Sequence, residues 1–229
     1  MKRRSDTVIV TGSAGLIGRE LTARLREIGY LVIEADLSLG HDLTNQSFVR
    51  EWFRENKADH LVNLFAINDA VTTGRKSSTF LDLDLESFRR CMDVNVVSLF
   101  AVCQEYIRNQ VSGSIVNFSS IYGAVSPRRD MYPNSEKSIG YSVSKAAVVQ
   151  LTRHLAVHAA PQFRVNCVLP GGIYADQPID FVENYSSNCP LGRMMNSNEI
   201  TGIVEFLISE KATYCTGGIY AVDGGWTAW

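Results

Sequence analysis

The sequence predicts an α/β fold: one parallel sheet, doubly wound with helices on both faces, in a single domain spanning 1–229. Three observations lead there. An apolar run, Thr7-Val-Ile-Val-Thr11, passes directly into Gly12-Ser-Ala-Gly15-Leu-Ile-Gly18, and a helix-period pattern follows it. A second apolar run ends at the carboxylate of Asp36, about 20 residues into the unit. Strand-like and helix-like stretches then keep alternating through the 229 residues with no Pro/Gly/Ser-rich linker, repeat or low-complexity tract. Such alternation builds parallel sheets, and its continuity favours one core over two small ones.

Each element has a local cause. The first strand, 7–11, is short, apolar and β-branched. The helix after it carries Leu16, Ile17, Leu21, Leu25 and Ile28 on one side, and Gly29 stops it. A glycine turn between strand and helix lets the backbone approach a pyrophosphate, and the helix start presents free N–H groups and a favourable dipole. This makes Gly12, Gly15, Leu16, Ile17 and Gly18 candidates for cofactor binding. The second strand is Tyr30-Leu-Val-Ile-Glu-Ala35, and a carboxylate at its end, Asp36, can accept the ribose hydroxyls of an adenosine. A long helix is read over 88–107. Another begins near Tyr141. Asp82, Asp84 and Glu86 precede a helix that starts near Glu86, where negative charge suits the helix dipole.

The chemistry concentrates in Tyr141-Ser-Val-Ser-Lys145. Positions i and i+4 share a helix face, so the Lys145 ammonium lies beside the Tyr141 phenol. A free phenol has a pKa of about 10; a fixed positive charge beside it favours the ionised form. Tyr141 is therefore a candidate general acid/base. By itself such a pair is an ordinary helix-face contact, and the dinucleotide-type turn upstream gives it meaning.

With these motifs in order, the chain resembles the short-chain dehydrogenase/reductase family over nearly its whole length. The resemblance implies a Rossmann-like fold, a nicotinamide cofactor and a tetrad of Asn95, Ser120, Tyr141 and Lys145. Asn95 lies in Asp93-Val-Asn-Val96, Ser120 ends Ile115-Val-Asn-Phe-Ser-Ser120, and Ser119 is the alternative serine. It further implies adenine contacts from Asp42 and Leu43, nicotinamide-ribose contacts from Phe65, Ala66, Tyr141 and Lys145, and contacts from Pro170, Gly171 and Ile173 beyond the next strand. Lys145 would also lower the Tyr141 pKa, and Asn95 would hold a water linking Lys145 to solvent. Pro190-Leu-Gly-Arg193 and Val222-Asp-Gly-Gly225 are similar to the family's closing motifs.

The departures matter. Leu16 stands where the family's commonest pattern has a glycine, and the resulting Thr-Gly-x-x-Gly-x-x-Gly spacing is similar to the extended branch that modifies nucleotide sugars. The chain ends four residues after Gly225, which reads as the short form. Ala66 replaces a glycine, Phe65 is bulky, and Ala175 takes the place of a threonine that often meets the nicotinamide amide.

A net charge of −2, 20% charged residues and no basic stripe argue against a nucleic-acid partner. No apolar stretch approaches a membrane span, and Met1-Lys-Arg-Arg4 lacks the apolar region of a signal peptide. Five scattered cysteines fit reduced thiols in a cytoplasm. His154 and His158 have metal-ligand spacing but no acidic or thiol partner nearby, so no metal is expected. Ser142 and Lys145 form a Ser-x-x-Lys element of acyl-transfer enzymes, whose other signatures are missing.

The expected activity is an NAD-dependent alcohol/ketone oxidoreductase. NAD is preferred because Asp36 would repel a 2′-phosphate and the glycine loop holds no Arg or Lys. The alternatives are a sugar epimerase or dehydratase and a non-catalytic dinucleotide-binding regulator. Two segments are read as substrate elements: an insert at 125–138, with Arg128, Arg129 and Lys137, and a lid at 173–188. Together with the glycine spacing, they are similar to a subgroup associated with bacterial surface-sugar and flagellin modification. Excess apolar residues on the helices at 88–107 and after Tyr141 predict a homodimer or homotetramer.

Overall fold

The computed structural model describes residues 6–68, 81, 84–132 and 136–229. Its elements are β1 (Thr7–Thr11), α1 (Leu16–Glu27), β2 (Leu31–Ala35), α2 (Gln46–Glu55), β3 (His60–Asn63), α3 (Leu85–Met92), α4 (Leu99–Asn109), β4 (Gly113–Phe118), α5 (Ile139–His158), β5 (Phe163–Pro170), α6 (Ile179–Ser187), α7 (Thr201–Ile208) and β6 (Ile219–Val222). The six strands form one all-parallel sheet in the order β2-β1-β3-β4-β5-β6. This is the Rossmann-like α/β fold that the alternation predicts.

Strand alternation divides the core. Ile9, Leu61, Ile115, Val165, Cys167 and Leu169 face one side and pack against α2, α4 and α5 through Phe53, Val102, Tyr106, Val148 and Leu155. Val8, Val10, Val62, Val116 and Val168 face the other and meet Leu21 and Leu25 of α1 and Val204 and Leu207 of α7. Because both faces are buried, the strands are continuous apolar runs. Each such side chain taken fully out of water contributes about 1.5–3 kcal/mol before entropy is counted.

The sheet order reverses at β1, which is flanked by β2 and β3. A crevice therefore opens at the carboxyl ends of β1 and β3, where open α/β sheets bind ligands. Just beneath it runs a buried polar string. Thr11 Oγ1 donates to Asn63 Oδ1 (3.0 Å), Asn63 Nδ2 to Asn117 Oδ1 (2.9 Å) and Asn117 Nδ2 to Thr152 Oγ1 (3.1 Å). These bonds tie β1, β3, β4 and α5 together at the site's floor. Asn117 and Thr152 were not singled out from sequence, although an Asn inside an apolar strand is a visible signal.

The helix read over 88–107 is longer than expected and is interrupted. It starts at Leu85, with Asp84 Oδ1 accepting from Glu86 N (3.0 Å), and widens to a π turn over Asp93–Ser98 before continuing as α4. Such turns place a side chain inward at functional sites. Here it is Asn95, 2% exposed. Asp82 lies outside the described residues.

Candidate active site

Ser120, Tyr141 and Lys145 come together at the ends of β4 and the start of α5. Ser138 caps α5 by accepting from Tyr141 N. Lys145 is buried and its Nζ donates to the Phe118 carbonyl (3.0 Å), 5.7 Å from the Tyr141 ring centroid. The two serines separate by geometry: Ser119 Oγ is committed to the Lys145 carbonyl at 2.6 Å, whereas Ser120 Oγ accepts from Tyr122 N (3.2 Å) and stands beside the Tyr141 phenol. Gly123 is required behind them, since a Cβ there would lie 2.7 Å from the Lys145 carbonyl oxygen.

The electrostatics differ from the expectation. Burial pushes the Tyr141 phenol above its ordinary value, and the Ser120 hydroxyl only partly opposes this. The Lys145 ammonium is pulled down to about 8 by burial. It points at the Phe118 carbonyl, so the desolvation of the phenolate outweighs any help from the lysine in this arrangement.

The Asn95 side chain has a structural task of its own. Its Oδ1 accepts from Ile67 N (2.8 Å), and its Nδ2 donates to the Ile67 carbonyl (3.0 Å) and Ser144 Oγ (2.9 Å). Both amide hydrogens are thus taken, leaving one Oδ1 lone pair. The residue clamps the segment after β3 onto the π turn and α5.

On the other side of the crevice, Gly12 sits at φ +68, and a Cβ on it would lie 2.5 Å from Phe65 N. Gly18 packs α1 against the turn, 2.6 Å separating such a Cβ from the Ser13 carbonyl oxygen. The first-turn N–H groups of α1, at Leu16, Ile17 and Gly18, have no intrahelical acceptor. Ser13 Oγ is buried and has no hydrogen-bond partner among the described residues. Asp36 faces the turn: its Oδ2 accepts from Ala14 N (3.1 Å) and its Oδ1 from Ser38 N (2.9 Å) and Ser38 Oγ (2.7 Å). Burial raises this carboxyl, but those hydrogen bonds and nearby Arg19 carry it below the usual range. Of about four acceptor sites on a carboxylate, three are used, so one on Oδ2 is left for a ribose hydroxyl. Asp42 Oδ1 caps its own turn through Thr44, Leu43 is buried, Phe65 packs against the core, and Ala66 is exposed.

Comparisons with known proteins agree with this fold. A family model described as enoyl-(acyl carrier protein) reductase matches residues 8–227. A short-chain dehydrogenase from Leptospira borgpetersenii, solved with bound NAD+, superposes with a TM-score of 0.87 at 32% identity, over 98% of this chain and 93% of that one. The chain belongs to the short-chain dehydrogenase/reductase family. Among curated relatives of this dehydrogenase/reductase, the cis-4-hydroxycyclohexanecarboxylate dehydrogenase of Sinomonas cyclohexanicum is 32% identical over 96% of each chain. The post-translational flagellin modification protein A of Campylobacter coli is 24% identical over 96% of this chain and 97% of its own length. The family read from the motifs is the one found, and the protein is an oxidoreductase of that family.

In this dehydrogenase/reductase the two sequence-predicted substrate elements pack on each other. Helix α6, in the segment read from sequence as a lid, places Tyr185 so that its hydroxyl accepts from Gly172 N (2.6 Å), while its ring stacks on Trp226 at 4.4 Å. Asn184 Nδ2 donates to the Asp130 carbonyl of the insert (2.8 Å). Met131 is buried with Tyr185 and Trp226, and Tyr132 hydrogen-bonds Tyr122 hydroxyl to hydroxyl (3.0 Å). The result is an aromatic cluster that reaches Tyr141 through Tyr122 and Tyr132; Trp226 had given no sequence signal. Residues 133–135 of the insert lie outside the described residues. Gln177 staples the turn after Gly171, accepting from Ala175 N and donating to the Ile173 carbonyl, both at 2.8 Å. A cavity of about 190 Å³ lies behind the lid, between Gly171, Tyr185, Arg193 and Asp223. It touches none of Ser120, Tyr141 or Lys145, and Arg193 there is paired with Glu199. His154 and His158 stack on each other on an exposed helix face. Among the described residues no group of three or more metal-ligating side chains gathers, and no helix is long and apolar enough to cross a membrane.

Proposed function

We propose that the protein is an NAD(H)-dependent oxidoreductase that interconverts an alcohol and a ketone of a sugar-derived or similar cyclic compound. The observation that carries this is the convergence of Ser120, Tyr141 and Lys145 on one point at the carboxyl end of β4. Tyr141 donates a proton to the carbonyl oxygen in reduction and withdraws it in oxidation. Ser120, free of the bond that holds Ser119, fixes the substrate oxygen against the phenol and stabilises its developing charge. Lys145 serves the nicotinamide ribose and the proton path. Asn95 keeps the floor of that path in place through Ile67 and Ser144.

The residues present fit a nicotinamide dinucleotide. The free N–H groups of Leu16, Ile17 and Gly18, the close backbone approach at Gly12 and the partnerless Ser13 hydroxyl suit a pyrophosphate. Asp36 suits an unphosphorylated ribose, with Asp42 and Leu43 beside the adenine and Phe65, Ala66, Pro170, Gly171 and Ile173 lining the nicotinamide end. When bound, the cofactor supplies the hydride. Phe65 packs against the core, which favours turnover over the reading as a pure binder. The carbohydrate side of the proposal is supported by the polar insert and by the flagellin-modification relative. Segments 125–138 and 173–188 would form its substrate enclosure.

Exposed apolar residues on α4, α5 and the π turn, Val97, Phe100, Val143 and Val157, support a homodimer or homotetramer built on these helices. Five free cysteines suit a reducing cytoplasm. The test of function is a panel of sugars, sugar acids, sugar phosphates and cyclic alcohols scored by absorbance of the reduced cofactor. Stoichiometric NADH release supports a dehydrogenase. Conversion without it would assign an epimerase or dehydratase instead.

A further inference from the structure

The insert carries three cations, and the structure separates them. Arg128 is engaged by Asp130 through two hydrogen bonds, Nε to Oδ1 at 3.1 Å and Nη2 to Oδ2 at 2.8 Å. Arg129 is exposed. Lys137 is the one turned inward: its Nζ lies 5.0 Å from the Tyr141 ring centroid and 5.9 Å from that of Tyr122, and among the described residues it has neither an ion pair nor a hydrogen bond. Lys145, the other ammonium at Tyr141, already donates to the Phe118 carbonyl. Among the described residues Lys137 is therefore an ammonium without a counter-charge, held against the ring faces of Tyr141 and Tyr122.

We propose that Lys137 binds the substrate's carboxylate, so that the substrate is a hydroxy acid, or the matching oxo acid, whose alcohol or ketone oxygen lies at Tyr141. This rests on the oxidoreductase reading above. An ammonium stacked on ring faces keeps its donors for a partner that arrives from the chamber. Burial alone has pulled this ammonium down to about 8, a cost that a bound anion reverses. A carboxylate is favoured over a phosphate ester by charge balance. One lysine is a single point charge, whereas a phosphate dianion in an aromatic chamber calls for a second cation or an arginine fork, and Arg128 is already neutralised.

The test is calorimetric binding to the NAD+-loaded protein, with cyclohexanecarboxylate, its neutral isostere cyclohexanecarboxamide, and cyclohexyl phosphate as probes. The wild type should bind the carboxylate roughly 10–100-fold more tightly than the carboxamide, the range for a hydrogen bond to a charged group. Lys137→Met should erase that preference, Lys137→Arg should keep most of it, and Arg128→Met should leave it unchanged. Equal binding of carboxylate and carboxamide by the wild type, survival of the preference in Lys137→Met, or tighter binding of the phosphate would each overturn the proposal. The measurement needs no turnover, so its failure is separable from failure of the alcohol/ketone reading, which is judged by cofactor reduction alone.

Discussion

The three glycines of the β1–α1 turn look equivalent in sequence but have different physical duties, and alanine substitution should rank them. At Gly12 two costs combine. The backbone is at φ +68, where an L side chain costs about 1–2 kcal/mol. The new Cβ would also stand 2.5 Å from Phe65 N and 2.8 Å from the Leu64 carbonyl carbon, backbone atoms that cannot swing aside. Overpacking of this kind costs typically 1–3 kcal/mol. Together they give about 2–5 kcal/mol, a fall in Tm of roughly 4–20 °C for a chain of this size. Because the displaced segment carries Phe65 and Ala66, NAD affinity should fall as well. At Gly18 the φ is ordinary, but the Cβ would collide with the Gly12 and Ser13 carbonyls, so about 1–3 kcal/mol is expected. Gly15 is the cap of α1 at φ −71, and its Cβ would meet only the Gly12 carbonyl oxygen, at 3.3 Å. Gly15→Ala should therefore cost under about 1 kcal/mol. Thermal melts and NAD titration by fluorescence on the three variants provide the check. If Gly12→Ala melted with the wild type, or Gly15→Ala were the worst of the three, the account of the turn would be wrong.

Further outcomes can be stated briefly. Tyr141→Phe should keep the fold and cofactor binding while turnover drops by roughly 10²–10⁴-fold; near-normal turnover would remove Tyr141 from the acid/base role. Oxidation needs the phenolate and reduction the phenol, so kcat/KM should rise with pH in the first direction and fall in the second. Burial raises the Tyr141 pKa and Ser120 opposes it, so Ser120→Ala should shift the midpoint upward; a downward shift contradicts the geometry. Asp36→Asn keeps an acceptor but loses the charge, and the NAD/NADP affinity ratio should fall about 10-fold, corresponding to about 1.4 kcal/mol; an unchanged ratio in paired titrations would show that Asp36 does not choose the cofactor. Val157→Glu, at a position 73% exposed in the monomer, should shift light-scattering mass toward the monomer with the melt unaffected, and a wild type already monomeric at micromolar concentration would refute the helix-paired assembly.

What the chain determined by itself was local or periodic. The strand, glycine turn and helix at 7–27, the carboxylate at 36, the Tyr-x-x-x-Lys face and the alternation behind the parallel sheet depend on neighbours a few residues apart, so fold and family were legible. The remaining decisions depend on partners distant in sequence. The resemblance favoured Ser120 over Ser119 by position alone; the bond from Ser119 to the Lys145 carbonyl, 26 residues away, gives the two hydroxyls different partners. The i,i+4 rule put Lys145 beside Tyr141, but burial and the Phe118 carbonyl determined the sign of the phenol's shift. Asn95 stood out in the sequence, but Ile67 and Ser144 as its partners did not, because they meet it only through the π turn. Phe65 looked obstructive until the core accepted its ring, and the three cations of the insert became unequal only once Asp130 took Arg128. Sequence periodicity says which way a side chain faces; what it touches there, and at what electrostatic cost, is a property of the folded chain.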